Sequence, residues 1–184
     1  GVTLHVSKSK IRNCRAGNGI NIAPSSGVGT VFISDSTITD NGVNVSSAGL
    51  LVRPTGGASA NVSVSRTKLE SNTNGIFADG SGGAGPCNIS VKDSVLGGSS
   101  SNGIAISSTG GVFKALIDNT LINFNVGVGA AVAGAQATLT IGGSTITQNV
   151  TGVSNSGGTL QSFKNNQIAQ NGTDGTPITA FPGP

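Results

Sequence analysis

The sequence predicts an all-β fold, a single-stranded parallel β-helix (solenoid) of about seven coils with three short strands each. Three observations predict it: one motif recurs seven times, apolar residues alternate within it, and the composition is rich in Gly and poor in charge. The chain has 184 residues, of which 30 are Gly and 9% are charged, with no Trp, Tyr or Met. That composition excludes a coiled coil, an ordinary helical bundle and a charged disordered segment. There is no apolar run near the roughly twenty residues of a membrane span, and no basic-plus-apolar leader follows Gly1. The absent initiator Met suggests a processed or excised chain.

The motif centres on one aliphatic per coil: Ile11, Ile38, Leu69, Leu96, Ile122, Ile146 and Ile168, spaced 27, 31, 27, 26, 24 and 22 residues apart. Two residues before it come Ser9, Ser36, Thr67, Ser94, Thr120, Ser144 and Asn166, all small and polar. Five before it come Val6, Ile33, Val64, Val91, Ile117, Ile141 and Phe163, all apolar and expected to face the interior. Three after it come Cys14, Asn41, Asn72, Ser99, Asn125, Asn149 and Asn171. Stacked coils bring equivalent residues about 4.8 Å apart. The Asn column then turns the corner between two sheets, its amides bonding neighbouring coils without burying charge.

A third strand follows in each coil, introduced by Gly19, Gly49, Gly75, Gly103, Gly127, Gly152 and Gly175. In the first six the next residue is aliphatic: Ile20, Leu50, Ile76, Ile104, Val128 and Val153. Between coils lie Gly- and Ser-rich stretches such as 80–85, which vary in length as loops do. The coils fall near 1–27, 28–57, 58–85, 86–111, 112–134, 135–158 and 159–176, one β-helix domain over 1–176. Residues 177–184 read as a C-terminal tail, because Pro177, Pro182 and Pro184 cannot continue a ladder.

On the Asn column, the Asn-Gly-Ile-type strand entries and the Ser/Thr column, the whole chain resembles the right-handed parallel β-helix, pectin-lyase-like superfamily. More narrowly it resembles small exported proteobacterial β-helix repeat proteins, which often end in a stretch like that at 171–176. The resemblance implies the right hand of the coil and a secreted, periplasmic or cell-surface location. Its members include polysaccharide lyases and hydrolases, phage tail proteins and proteins without known activity, so it implies fold more narrowly than function.

The register sorts the candidate chemistry. Cys14 and Cys87 lie three coils apart, about 14 Å, which excludes a disulfide. A charged column stands three residues before the aliphatic: Lys8, Asp35, Arg66, Asp93, then Asn119, Gly143 and Asn165. Bases alternate with acids, which reads as a surface ion-pair ladder and argues against calcium, whose sites converge carboxylates. Under the alternative reading, a calcium-dependent lyase, the cluster would be Arg66, Lys92, Asp93 and Asp118. The resemblance implies that hydrolases of the superfamily combine an aspartate cluster with Gly-His-Gly and Arg-x-Lys tripeptides; Gly-His-Gly is absent. The single histidine, His5, is expected to face solvent from the first strand.

Phe32 and Phe77 are expected to point outward, each offering an apolar patch or receiving a covering loop or subunit. An ice-binding Thr-x-Thr array is broken: Thr37/Thr39 and Thr145/Thr147 are separated by Lys68/Glu70, Val95/Gly97 and Leu121/Asn123. Sequons at Asn44, Asn61, Asn88, Asn149 and Asn171 include two in the corner column, where a glycan does not fit. Net charge is +3, and Lys8, Lys10, Arg12, Arg15, Arg53, Arg66 and Lys68 all precede residue 70. That skew reads as a solvated face, with attraction of an acidic polymer as its alternative. Nucleic acid is not expected, because no aromatic residues interleave with the bases.

The expectation is therefore a non-catalytic, exported β-helix with a binding, adhesive or structural role. No residue is assigned as catalytic, cofactor-binding or metal-ligating, and no cofactor is expected. The alternative is a polysaccharide lyase or related carbohydrate-active enzyme acting on an acidic polysaccharide, with calcium. The partners expected are a polysaccharide, or a protein at an open N-terminal end where strand edges invite self-association.

Overall fold

A computed structural model of the chain describes residues 1–181. Among them there is no helix; three parallel sheets run along a solenoid of about seven coils. The arrangement is consistent with a right-handed parallel β-helix. The first sheet has eight strands, beginning with Val2–Ser7 and Val28–Ser34 and ending with Thr159–Ser162 and Thr179–Ala180. The second has seven very short strands, from Lys10–Arg12 and Thr37–Thr39 to Gln167–Ile168. The third also has seven, from Ile20–Ile22 to Thr173–Gly175. Every strand pairs with its counterpart one coil away, so the sequence period becomes the strand spacing.

The predicted interior columns form. Ile38, Leu69, Leu96, Ile122 and Ile146 are fully buried and register with one another in the second sheet. Ile33, Val64, Val91, Ile117 and Ile141 fill the matching column of the first. In coil seven the register slips by one, and Ser162, not Phe163, pairs with Ile141. One additional residue lies between this column and Ile168, so Phe163 leaves the core and lies exposed against Gly142. The third strand of coil five is also shifted: Ala130 pairs with Ile104 and Val153, so Gly129 and Ala130 take the places expected of Gly127 and Val128. Gly175 pairs with Val153 itself, one place beyond the glycine column. The segment read as a tail adds strand Thr179–Ala180 to the first sheet after Pro177; Pro182 and Pro184 lie outside the described residues.

Two side-chain ladders hold the coils in register. The Asn41 N–H and its side-chain amide both donate to Asn72 Oδ1, at 3.1 and 3.0 Å. Asn125 repeats this onto Asn149, and Asn149 onto Asn171. Each Asn also donates back to the carbonyl of the aliphatic one coil before, as Asn72 does to Ile38 O at 2.9 Å. The Ser/Thr column forms the second ladder. The N–H groups of Ser9, Ser36, Thr67, Ser94 and Thr120 donate to the hydroxyl one coil on, and each hydroxyl from Ser9 to Ser144 donates to the carbonyl two residues earlier. Such bonds are worth about 0.5–1.5 kcal/mol each, and their loss in a buried site costs more.

The third-strand glycines make room for the Asn ladder. A Cβ on Gly103 would stand 2.6 Å from the Gly129 carbonyl and 2.9 Å from Asn125 Nδ2; Gly129 and Gly152 are equally confined. Between the ladders, each second-sheet strand is only two or three residues long, and residues with positive φ flank it. Lys8, Asp35, Arg66, Asp93, Asn119 and Gly143 precede it with φ between 46° and 53°. Asn13, Asp40, Ser71, Gly98, Phe124, Gln148 and Gln170 follow it. One left-handed residue turns each corner, which suits Asp, Asn and Gly and strains Arg66 and Phe124.

The Asn ladder has one gap. Ser99 Oγ is fully buried and makes no hydrogen bond, so neither the Asn72 N–H nor the Leu69 carbonyl receives the side-chain bond that its counterparts have. Gly75 leaves the same space there that other glycines leave for an Asn. Ser99→Asn is therefore expected to raise unfolding free energy by about 1 kcal/mol. Chemical denaturation measures this, and a lowered midpoint would show that the space does not accept the amide.

Candidate functional site

Outward residues of the first sheet form columns as regular as the inward ones, but their sizes are not matched. One column reads His5, Phe32, Ser63, Ser90, Leu116, Thr140 and Gln161. Bulk falls from Phe32 to two serines and rises again at Leu116, leaving a hollow of about 200 Å³ floored by Ser63 and Ser90 and flanked by Asn61 and Asn88. The Asn88 amide donates to Asn61 Oδ1 at 3.0 Å. A second hollow, about 470 Å³, shares Asn88 and continues over Lys114, Leu116, Thr138, Thr140 and Gln161 to Phe163 and Phe181. The two make a shallow track along the solenoid, spanning six to seven strand spacings or about 30 Å.

Aromatic rings close both ends of the track. His5 stacks on Phe32 with ring centres 4.9 Å apart and planes 17° from parallel. Phe163 meets Phe181 edge-on at 5.1 Å. Both His5 and Phe32 are solvent-exposed and outward, as expected, Phe32 at 44%. Phe163 is present because of the slip in coil seven. Phe77 also points outward, on the third sheet, where it is half-buried beside Leu51.

The charged residues of the alternative reading gather along the corner between the first and second sheets, where each acid is engaged. Arg66 holds Asp35 bidentately, Nε to Oδ1 at 2.7 Å and Nη2 to Oδ2 at 2.8 Å. Asp93 accepts from the Asn119 amide, and Lys92 Nζ stands 3.6 Å from Asp118 Oδ2. The alternating column thus closes as one strong pair rather than an unbroken chain. On the third sheet Arg53 Nε lies 2.9 Å from Asp79 Oδ2, though its N–H is not aimed for a hydrogen bond. The tripeptide Arg66-Thr67-Lys68 has the Arg-x-Lys form used by hydrolases of the superfamily, but Thr67 is buried in the hydroxyl ladder and His5 lies on another sheet. Among the described residues no three His, Cys, Asp or Glu side chains converge to hold a metal ion.

Comparison with protein-family models, curated proteins and solved structures finds no match.

Both cysteines are free. Cys87 is buried between Ala60 and Phe113 in an inward column, and burial pushes its thiol up to about 12. Cys14 stands at the head of the Asn column, half-buried, its N–H donating to Asn41 Oδ1 at 3.0 Å. A thiol reagent at mildly alkaline pH is expected to modify Cys14 alone in the folded protein and Cys87 only after denaturation. Equal rates at both would show that coil four opens readily.

Arg66's hydrogen bonds hold the Asp35 carboxyl below its usual range, and Asp35 raises the guanidinium in return. A depressed carboxyl stabilises the fold above its unfolded pKa, and that contribution is lost as pH falls through the folded value. Carboxyl NMR titration is expected to place the Asp35 midpoint lower in the native protein than in Arg66→Ala. Coincident midpoints would mean that the pair does not persist in solution.

Proposed function

We propose that the chain is a non-catalytic, exported β-helix that binds an extended glycan along the outer face of its first sheet. The observation that carries the reading is the track from Phe32 to Phe181, a mainly apolar floor with hydroxyl and amide groups beside it and rings at its ends. A sugar ring presents an apolar face and a hydroxyl rim. Phe32 and Phe163 offer the first a surface, while Asn61, Asn88, Thr138 and Gln161 offer the second donors and acceptors. The lyase alternative needs free carboxylates for a cation and a base near them. Instead Asp35, Asp93 and Asp118 are each engaged by a neighbouring coil, and Arg66 is held on both of its carboxylate-facing nitrogens. Export rests on the resemblance to exported repeat proteins.

The test couples a binding assay to a turnover assay. Isothermal titration with cello- and xylo-oligosaccharides is expected to show binding that Phe32→Ala weakens about tenfold, the loss of about 1.4 kcal/mol of ring contact. A parallel depolymerisation screen, with and without calcium, is expected to release neither unsaturated uronides nor reducing ends. Calcium-dependent uronide absorbance would establish a lyase and overturn the reading.

A further inference from the structure

The ten basic residues divide sharply once their partners are known. Arg53, Arg66 and Lys92 have acidic partners. The other seven form no ion pair among the described residues: Lys114 and Lys164 stand singly on coils five and seven, whereas Lys8, Lys10, Arg12, Arg15 and Lys68 are all exposed on coils one and three at the second sheet or its flanking turns. Strand register orders them further. Lys10, Thr37 and Lys68 form one outward column, so the two lysines leave the backbone two strand spacings apart, about 10 Å, with Thr37 between them. Arg12 and Thr39 form the neighbouring column, two residues along each strand, followed by Glu70. Lys8 and Arg15 extend the charge around both corners of coil one. Of the nearest acids, Asp35 is held by Arg66 and Asp40 accepts from Thr39 Oγ1, while Glu70 ends the Arg12 column on coil three, two residues beyond Lys68.

We infer that this face of the second sheet is a separate site for a linear acidic glycan, carrying carboxylate or sulfate groups. Cations repeat in two directions, across coils and along the strand, and no two converge on one point, so the arrangement fits a chain of spaced anions rather than a single small ion. Thr37 and Thr39 supply hydroxyls at the intervening positions, which suit the neutral hydroxyls between the acidic groups of such a chain. Single-stranded nucleic acid would need stacking platforms, and no aromatic side chain lies in these outward columns from Lys10 to Glu70. The site does not depend on the track of the first sheet and uses none of its residues.

Affinity electrophoresis of the full chain through gels containing dextran sulfate, polygalacturonate or neutral dextran tests the inference, with a single-stranded DNA oligonucleotide as the competing class. Retardation is expected in at least one acidic gel and not in neutral dextran, falling steeply between about 0.05 and 0.2 M salt. Replacing Lys10, Arg12 and Lys68 together by Gln is expected to weaken it at least tenfold with unchanged circular dichroism. Lys10→Gln should weaken it more than Lys164→Gln, which removes the same charge from coil seven. Equal effects of the two single variants, no retardation in either acidic gel at low salt, or tighter binding of the oligonucleotide would each overturn the inference. Loss of neutral-oligosaccharide binding in Phe32→Ala reports only on the first sheet, so failure at either face is distinguishable from failure at the other.

Discussion

Everything in this molecule depends on stacking each coil directly on the last at one strand spacing. Backbone bonds within the three sheets supply most of that contact, and a slip of one residue would turn every buried column outward. The ladders reinforce that register. Asn41, Asn72, Asn125, Asn149 and Asn171 each reach the neighbouring coil's backbone from a buried corner, and the Ser/Thr column does the same at the opposite end of the short strand. A slip would leave these groups unsatisfied in a dry interior, at roughly 1–3 kcal/mol each. The glycine column belongs to the same device, because an amide at the corner and a Cβ at Gly103 or Gly129 cannot occupy the same space. Asn and Gly are thus a single structural choice made twice in each coil.

The interior was legible in the sequence because its neighbours overdetermine it. An inward position sees the same column above and below, so Ile38 through Ile146 could be assigned from spacing alone. The misreadings fall where a coil gains or loses a residue without breaking its local pattern. Val128 is aliphatic and follows a glycine, as the motif asks, yet Gly129 and Ala130 fit the Asn149 corner and the Ile104 column. Phe163 is apolar and sits at the right distance from Ile168, but coil seven carries one additional residue there, and Ser162 takes the inward place. Side-chain volume and coil length decided these cases, and neither is visible in a count of residues to the nearest aliphatic. The Ser/Thr column was visible as a pattern, while its role as a second ladder needed the hydrogen bonds.

The outer faces follow the opposite logic. Nothing inside the solenoid constrains whether Ser63 is a serine or a phenylalanine, so no periodicity announces the hollow between Phe32 and Leu116. It arises from a drop in side-chain size along one column, read perpendicular to the chain, with residues some thirty positions apart made adjacent by coiling. The charged residues show the same effect from another side. Written out in order they look like one skewed cluster before residue 70. Coiling divides them into pairs that satisfy each other, as Arg66 and Asp35 do, and an acid-free column that does not.

That division explains why the fold identifies itself and the activity does not. A β-helix separates the residues that build it from the residues it displays: alternate positions of each strand serve the core, and the rest are free. Departures from bland polarity on the free positions therefore carry the functional information. An exposed ring stacked on the only histidine and three cations on adjacent outward columns do nothing for the core, and both leave apolar surface or uncompensated charge in contact with solvent. Arg66 marks the boundary between the two classes. It occupies a left-handed corner that disfavours its side chain, yet its guanidinium ties two coils together, so its charge serves register rather than a ligand. Lys10 and Lys68 lie in extended strands, on either side of the coil that holds Asp35, and no such structural use accounts for them.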